Sequence, residues 1–329
     1  MTTLRYYIVD VFSSTAYKGN PLAVVDNTSD TLTKTQMQLI ARQFNLSETT
    51  FICPPTNSDA NLRLRSFLPN GEEVFGAGHN SLGAWWWAVH SGTCNAPSNH
   101  DARIYQQQLG EAILRVEVSK SPTGEIRISM RHGEPQFLNK HANKASLADA
   151  LGIHADDIGL QDPSGTTLLD EAQVVTTSPA RHLLIPLINK EALDRVSFAN
   201  QERIAEELAS TESHNSGVYV FTSVESANGD PRFEARFFSP GMGMEDPATG
   251  SAAGPLAAFV WENGKSLLSD RVDGSGAVGV EVVQGLRTGR ECLMKVSVGR
   301  YWPGNIELSG TGVLVADGNI AIPSSDVVF

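Results

Sequence analysis

The sequence holds little cysteine: Cys53, Cys94 and Cys292 are the only three in 329 residues, and none stands in a CxxC or Cys/His spacing. That argues against a disulfide framework or a structural zinc site, and a reducing interior is the expected setting. Long apolar runs are missing too. The longest, such as Leu82 to Val89, reach less than half a membrane span, so a membrane partner is not expected. Basic residues are few. With 25 Lys+Arg against 37 Asp+Glu the formal charge is −12, and no basic run appears, which argues against nucleic acid. The opening Met-Thr-Thr-Leu-Arg-Tyr-Tyr-Ile-Val-Asp reads as a strand reaching an acid rather than a charged n-region and apolar signal core. The expectation is a cytoplasmic protein. What remains is a globular chain, 41% hydrophobic and 19% charged, long enough at about one to two hundred residues per domain for two cores.

An internal repeat organises it. Arg65-Ser-Phe67-Leu-Pro69 is followed by Gly78 and Gly92, and Arg236-Phe-Phe238-Ser-Pro240 by Gly250 and Gly264, the last spacing being 14 in both. Gly110 to Val118 resembles Gly289 to Val298, and Gly124 to Ser129 resembles Gly304 to Ser309. Upstream, Thr33 with Gln36 makes a capping box, and Met37, Ile40, Ala41 and Phe44 share one helix face before a strand from Thr49 to Cys53. Ile204, Ala205 and Leu208 recur before Gly217 to Thr222, and Arg5 to Val9 matches Arg181 to Ile185 in position. The ordered set, offset by about 170 to 180 residues, favours duplication over two unrelated α+β domains.

Each copy carries one helix that is apolar on nearly every face and therefore expected to be buried. The first runs from Ser81 to His90 through three tryptophans, which read as core rather than as a ligand platform. The second has Pro255, suited to a first helical turn, then Leu256 to Trp261, and ends at Asn263-Gly264. Both start from small, flexible loops, Phe75 to Ser81 and Glu245 to Ser251. The first amides of a helix lack internal partners and favour an anion. Plain N-capping by Asn80, Ser81, Thr249 or Ser251 explains the same residues without a ligand.

Moving a proton on a carbon beside a carboxylate needs an acid, a base and a sink for negative charge. Glu48, between a helix end and a strand, His79, after the first glycine turn, and Asp246, before the second, are candidates. Each also has an ordinary reading, as a surface carboxylate, a helix-start hydrogen bonder and a turn residue. No HxxxH, HxxE or carboxylate cluster suggests a metal.

These residues resemble the phenazine-biosynthesis PhzF-like family of the diaminopimelate-epimerase-like superfamily, over nearly the whole chain. The most specific segment is Glu245-Asp-Pro-Ala-Thr-Gly-Ser-Ala252 with Gly254-Pro255-Leu256; Val9 to Phe12, Gly19 to Val24, Asn45 to Phe51 and Ala77-Gly-His79 support it. The resemblance implies an α+β fold of two similar domains, each a mostly antiparallel rolled, barrel-like sheet around a central helix, with the site in the cleft between them and no cofactor. The division expected is 1–132 and 133–329, with the last strands crossing back to the first domain. It further implies Glu48 as proton-shuttling base, His79 and Asp246 flanking the substrate, and Asn20, Gly78, Asn80, Ser81, Thr249, Gly250 and Ser251 binding it. A small carboxylate substrate follows, and a homodimer is plausible.

Where the epimerase relatives carry a cysteine in each repeat, this chain has Phe75 and Pro247, which disfavours a two-thiol racemase. The usual phenylalanine before Ala-Gly-His is Gly76, and the usual proline after the histidine is Asn80, followed by Ser81. These changes reshape the pocket rim and count against the phenazine precursor itself as substrate. The reading is a cofactor-independent isomerase or epimerase, with a non-catalytic binder of a small anionic metabolite as the alternative.

Overall fold

The computed structural model describes the chain apart from residues 1, 77, 98–101, 122, 163, 212, 214–215, 227–229, 241–242, 265–266, 269–276 and 300–305. Ala77 of the family motif and Gly304 of the repeat lie outside the described residues. The fold is mixed α/β, mostly strands with few helices, and divides into one unit of residues 1–130 with 309–329 and another of residues 131–308.

In the first unit the strand Thr3–Val11 lies antiparallel to both Asn20–Asp26 and Gly312–Ala321. Asn20–Asp26 is parallel to Thr49–Cys53, which is antiparallel to Leu62–Phe67. Leu62–Phe67 pairs with Glu73–Val74 antiparallel and with Arg103–Leu109 parallel. In the second unit Gln173–Thr176 lies antiparallel to Gln136–Lys140 and His182–Pro186. His182–Pro186 is parallel to Val218–Val224, itself antiparallel to Arg232–Ser239. Arg232–Ser239 pairs with Met244–Asp246 antiparallel and with Val278–Gln284 parallel. The order and sense of these pairings is the same in both units.

The pairings correct one sequence match. Arg181 to Ile185 corresponds in pairing to the strand at Asn20–Asp26, not to Arg5 to Val9, because the strand that runs parallel to its neighbour is His182–Pro186. Two adjacent strands of one antiparallel pair carry the same apolar pattern, so periodicity alone cannot tell them apart.

Helix α1 (Lys34–Phe44) begins at the capping box, where Thr33 and Gln36 bond each other's backbones, and stops at Asn45 in the left-handed region, φ 53°. Its apolar face packs with Phe51, Cys53 and Phe67. Helix α2 (His79–His90) starts two residues before the expected Ser81 and is buried up to Val89. Trp85, Trp86 and Trp87 are at most 6% exposed, and the Trp85 indole donates to Gln107; they are core. Gly83 lets α2 settle on the sheet, since a Cβ there would lie 2.6 Å from Val11 and 2.7 Å from Leu22.

Helices α3 (Lys144–Leu151), α4 (Lys190–Arg195) and α5 (Gln201–Ser210) belong to the second unit, and share a core with Val174, Leu183, Val218 and Phe238. The helix expected from Ile204, Ala205 and Leu208 is α5, and α4 precedes it. Helix α6 (Gly250–Asn263) is the buried counterpart of α2. Pro255 falls in its second turn rather than its first, removing the N–H that would meet the Ser251 carbonyl. Gly264 ends it at φ −122°, outside the left-handed region expected of a glycine stop.

Candidate active site

In the first unit, the sheet end near Asn20 collects the candidate groups. Asn20 opens its strand and is buried, and the parallel register places Ala23 opposite Thr49, so Glu48 enters beside the same end. His79 begins α2. Its Nε2 lies 3.3 Å from Glu48 Oε2, with the imidazole 8% and the carboxylate 21% exposed. The His79 Nε2 atom is buried and completes no hydrogen bond among the described residues, and neither does Ser81 Oγ.

Side-chain capping does not account for this helix start. The N-cap is Gly78, which has no side chain, and Asn80 points back instead: its Oδ1 accepts from the Gly78 N–H at 2.9 Å and its Nδ2 donates to Gly76 O and Ser66 Oγ. Ser66 in turn shares a hydrogen bond with Thr50. Asn80 therefore braces the loop while the first amides of α2 keep their positive end uncapped. Gly76 faces open space, with no atom of the described residues within 4 Å of an added Cβ.

In the second unit, Asp246 ends a short strand at 9% exposure. Its Oδ2 accepts from the Thr249 hydroxyl at 2.6 Å. Gln284, on the strand Val278–Gln284, donates to the Asp246 carbonyl at 2.8 Å and to Thr249 Oγ1 at 3.0 Å, and accepts from the Thr249 N–H and from the Tyr219 hydroxyl. Burial, with the Asp246 charge nearby, pushes the Tyr219 hydroxyl far above its usual range, so it stays a neutral donor. Thr249 is the N-cap of α6 but spends its hydroxyl on Asp246 rather than on the helix. Gly250 and Ser251 follow as the first helical residues. Ser251 is part-exposed, and its Oγ lies 2.9 Å from His182 Nε2.

The structure thus brings Glu48, His79, Asn80 and Gly78 together in one unit, and Asp246, Thr249, Gly250 and Ser251 in the other. Sequence reasoning missed Gln284, Tyr219 and His182, which lie on separate strands and carry no local signal. It also missed the partner of each repeated arginine. Arg65 clasps Glu73 through two bonds of 2.7 and 2.8 Å, and Arg236 clasps Glu245 at 3.0 and 2.9 Å. Each guanidinium also lies over the phenylalanine two residues on. These forks fix the short strands that lead into both helix starts.

The three cysteines are buried and none is in a disulfide. Burial pushes the Cys53 and Cys94 thiols up, the opposite of what a thiolate catalyst needs.

Known proteins resemble this chain along nearly its whole length. The family model for phenazine biosynthesis-like proteins, PhzC-PhzF, matches residues 9–318. An uncharacterised isomerase of Mesorhizobium japonicum is 30% identical over 98% of this chain and 100% of its own. The trans-2,3-dihydro-3-hydroxyanthranilate isomerase of Pseudomonas fluorescens is 31% identical over 97% and 99%. Among solved structures, a PhzF-family phenazine biosynthesis protein of Bacillus anthracis superimposes with a TM-score of 0.81 at 24% identity, covering 98% of this chain and 100% of that one, a likeness in fold. The chain belongs to the phenazine biosynthesis-like PhzC-PhzF family and is an isomerase of that type.

Proposed function

We propose that the protein is a cofactor-independent isomerase that moves a proton, and with it a double bond or a stereocentre, on a small carboxylate such as an amino-acid or hydroxy-acid derivative. The observation that carries this reading is the pair of Glu48 and His79, 3.3 Å apart beside an uncapped helix start. Glu48 takes the proton from carbon and returns it to another carbon. His79, next to it, trades protons with polar groups of the substrate, and Asp246, held by Thr249, orients it. Backbone amides around Gly78, Gly250 and Ser251 hold the carboxylate and stabilise developing charge.

The test is carbon–hydrogen exchange in heavy water with a panel of small carboxylates, trans-2,3-dihydro-3-hydroxyanthranilate among them. Wild type should exchange a carbon-bound hydrogen. Glu48→Gln should lower that rate by about a hundred- to ten-thousand-fold, the usual worth of a general base, with unchanged melting temperature and near-normal binding. Normal exchange in Glu48→Gln removes the assignment. Tight binding without exchange in the wild type would make the protein a metabolite binder.

A further inference from the structure

His182 sits where packing alone would place a leucine. With Phe67 matched to Phe238, the strand registers put His182 at the position of Leu22 in the first unit; Leu22 is a fully buried aliphatic residue. His182 is 5% exposed and meets the ring of Phe237 edge to face at 4.9 Å. Its Nε2 lies 2.9 Å from Ser251 Oγ, and its Nδ1 is buried with no hydrogen bond among the described residues. An imidazole here costs the desolvation of that second nitrogen, a cost leucine avoids. Burial also keeps the ring neutral, pushing it down to about 4, so it carries one hydrogen, on one nitrogen. A buried N–H without an acceptor is the rarer and worse orphan. The hydrogen therefore belongs on Nε2, facing Ser251, with Nδ1 left as the bare lone pair.

We propose that His182 is a positioning residue: by donating its Nε2 hydrogen to Ser251 Oγ, it leaves the Ser251 hydroxyl free to donate to the substrate carboxylate at the start of α6. This rests on the function proposed above. The opposite tautomer would draw the hydroxyl hydrogen inward to Nε2 and present lone pairs to an anion. At an uncapped helix start, the inward donor thus converts Ser251 from a repelling to an attracting group.

Two measurements on the full chain decide it. Side-chain nitrogen shifts of ¹⁵N-labelled protein, assigned by comparison with His182→Leu, should show the Nε2–H tautomer; the Nδ1–H form overturns the proposal whatever the activity. With trans-2,3-dihydro-3-hydroxyanthranilate as probe, His182→Leu and Ser251→Ala should each lower kcat/KM by about 10- to 100-fold, as for a lost hydrogen bond to a charged group, and the double variant should fall no further. His182→Gln, whose amide can donate the same hydrogen, should recover part of the loss, and it replaces His182→Leu if the latter does not fold. A His182→Leu protein with wild-type kcat/KM overturns the role even if Ser251→Ala is impaired. If the wild type neither binds nor converts any carboxylate tested, the proposed function fails, and the tautomer still judges His182.

Discussion

His182 and His132 both lie in the second unit with their rings held neutral by burial, each pushed down to about 4 from an ordinary value near 6.5. His132, part-exposed as a residue, packs its Nδ1 2.8 Å from Thr177 and against Gly254, where a Cβ would lie 2.3 Å away. Between pH 6.5 and 4 the unfolded chain holds protons that the folded chain refuses. The stability these groups contribute is therefore complete above pH 6.5 and declines as the pH falls toward 4. For His182 the loss by pH 4 is up to roughly 3 kcal/mol, and for His132 less, because it is more open to water. Chemical unfolding followed from pH 7.5 to 4.5 should show this decline, and His182→Leu should flatten it. An equally steep profile in that variant would mean that carboxylates, not this imidazole, set the acid limit. His182 was invisible in the sequence as a functional residue: in Arg181-His-Leu-Leu-Ile it is one polar letter in a strand, and its partner Ser251 lies 69 positions away.

The hairpins that precede α2 and α6 are held by the same device at different strengths. Arg65 spends its bonds on Glu73. Arg236 holds Glu245 and also donates to the carbonyls of Leu193 and Val196 at 2.9 Å, closing the end of α4. Lysine offers a point charge in place of the planar fork. Arg65→Lys should cost about 1–2 kcal/mol and Arg236→Lys about 2–4 kcal/mol, since two further orphaned carbonyls are left behind. Denaturant melts of the two variants check the order; equal costs would mean that the α4 contacts contribute nothing net. The repeated Arg-x-Phe-x-Pro was legible in sequence as a pattern, but its glutamates were not. Glu73 is 8 residues beyond its arginine and Glu245 is 9, and only the hairpin pairing brings them opposite.

At the scale of the molecule, the closing segment completes the opening one. Gly312–Ala321 pairs along the whole of Thr3–Val11, and Gly310 and Gly312 admit Phe12 and Trp86 against the backbone. Ending the chain after Leu308 should therefore open the first unit while sparing much of the second. In such a truncation Cys53, 0% exposed in the whole protein, should react with a thiol reagent at least tenfold faster, with Cys292 still slow; mass spectrometry of the labelled cysteines reads both. Unchanged protection of Cys53 would show that the remaining strands hold the unit without it.

The amino-acid sequence determined what depends on near neighbours. The Thr33–Gln36 box sets the start of α1, the all-apolar faces of α2 and α6 demand burial, and Glu48, His79 and Asp246 each stand next to a turn that a strand or helix must follow. Only the tertiary structure decided what depends on pairing across the chain: which strand runs parallel to which, that Glu48 meets His79, that Gln284 and Tyr219 stand behind Asp246, and that a buried imidazole faces Ser251. The reason is physical. Capping and periodicity act over one or two turns, whereas a hydrogen bond between residues tens of positions apart has no local signature until sheet register brings its two ends within 3 Å or so.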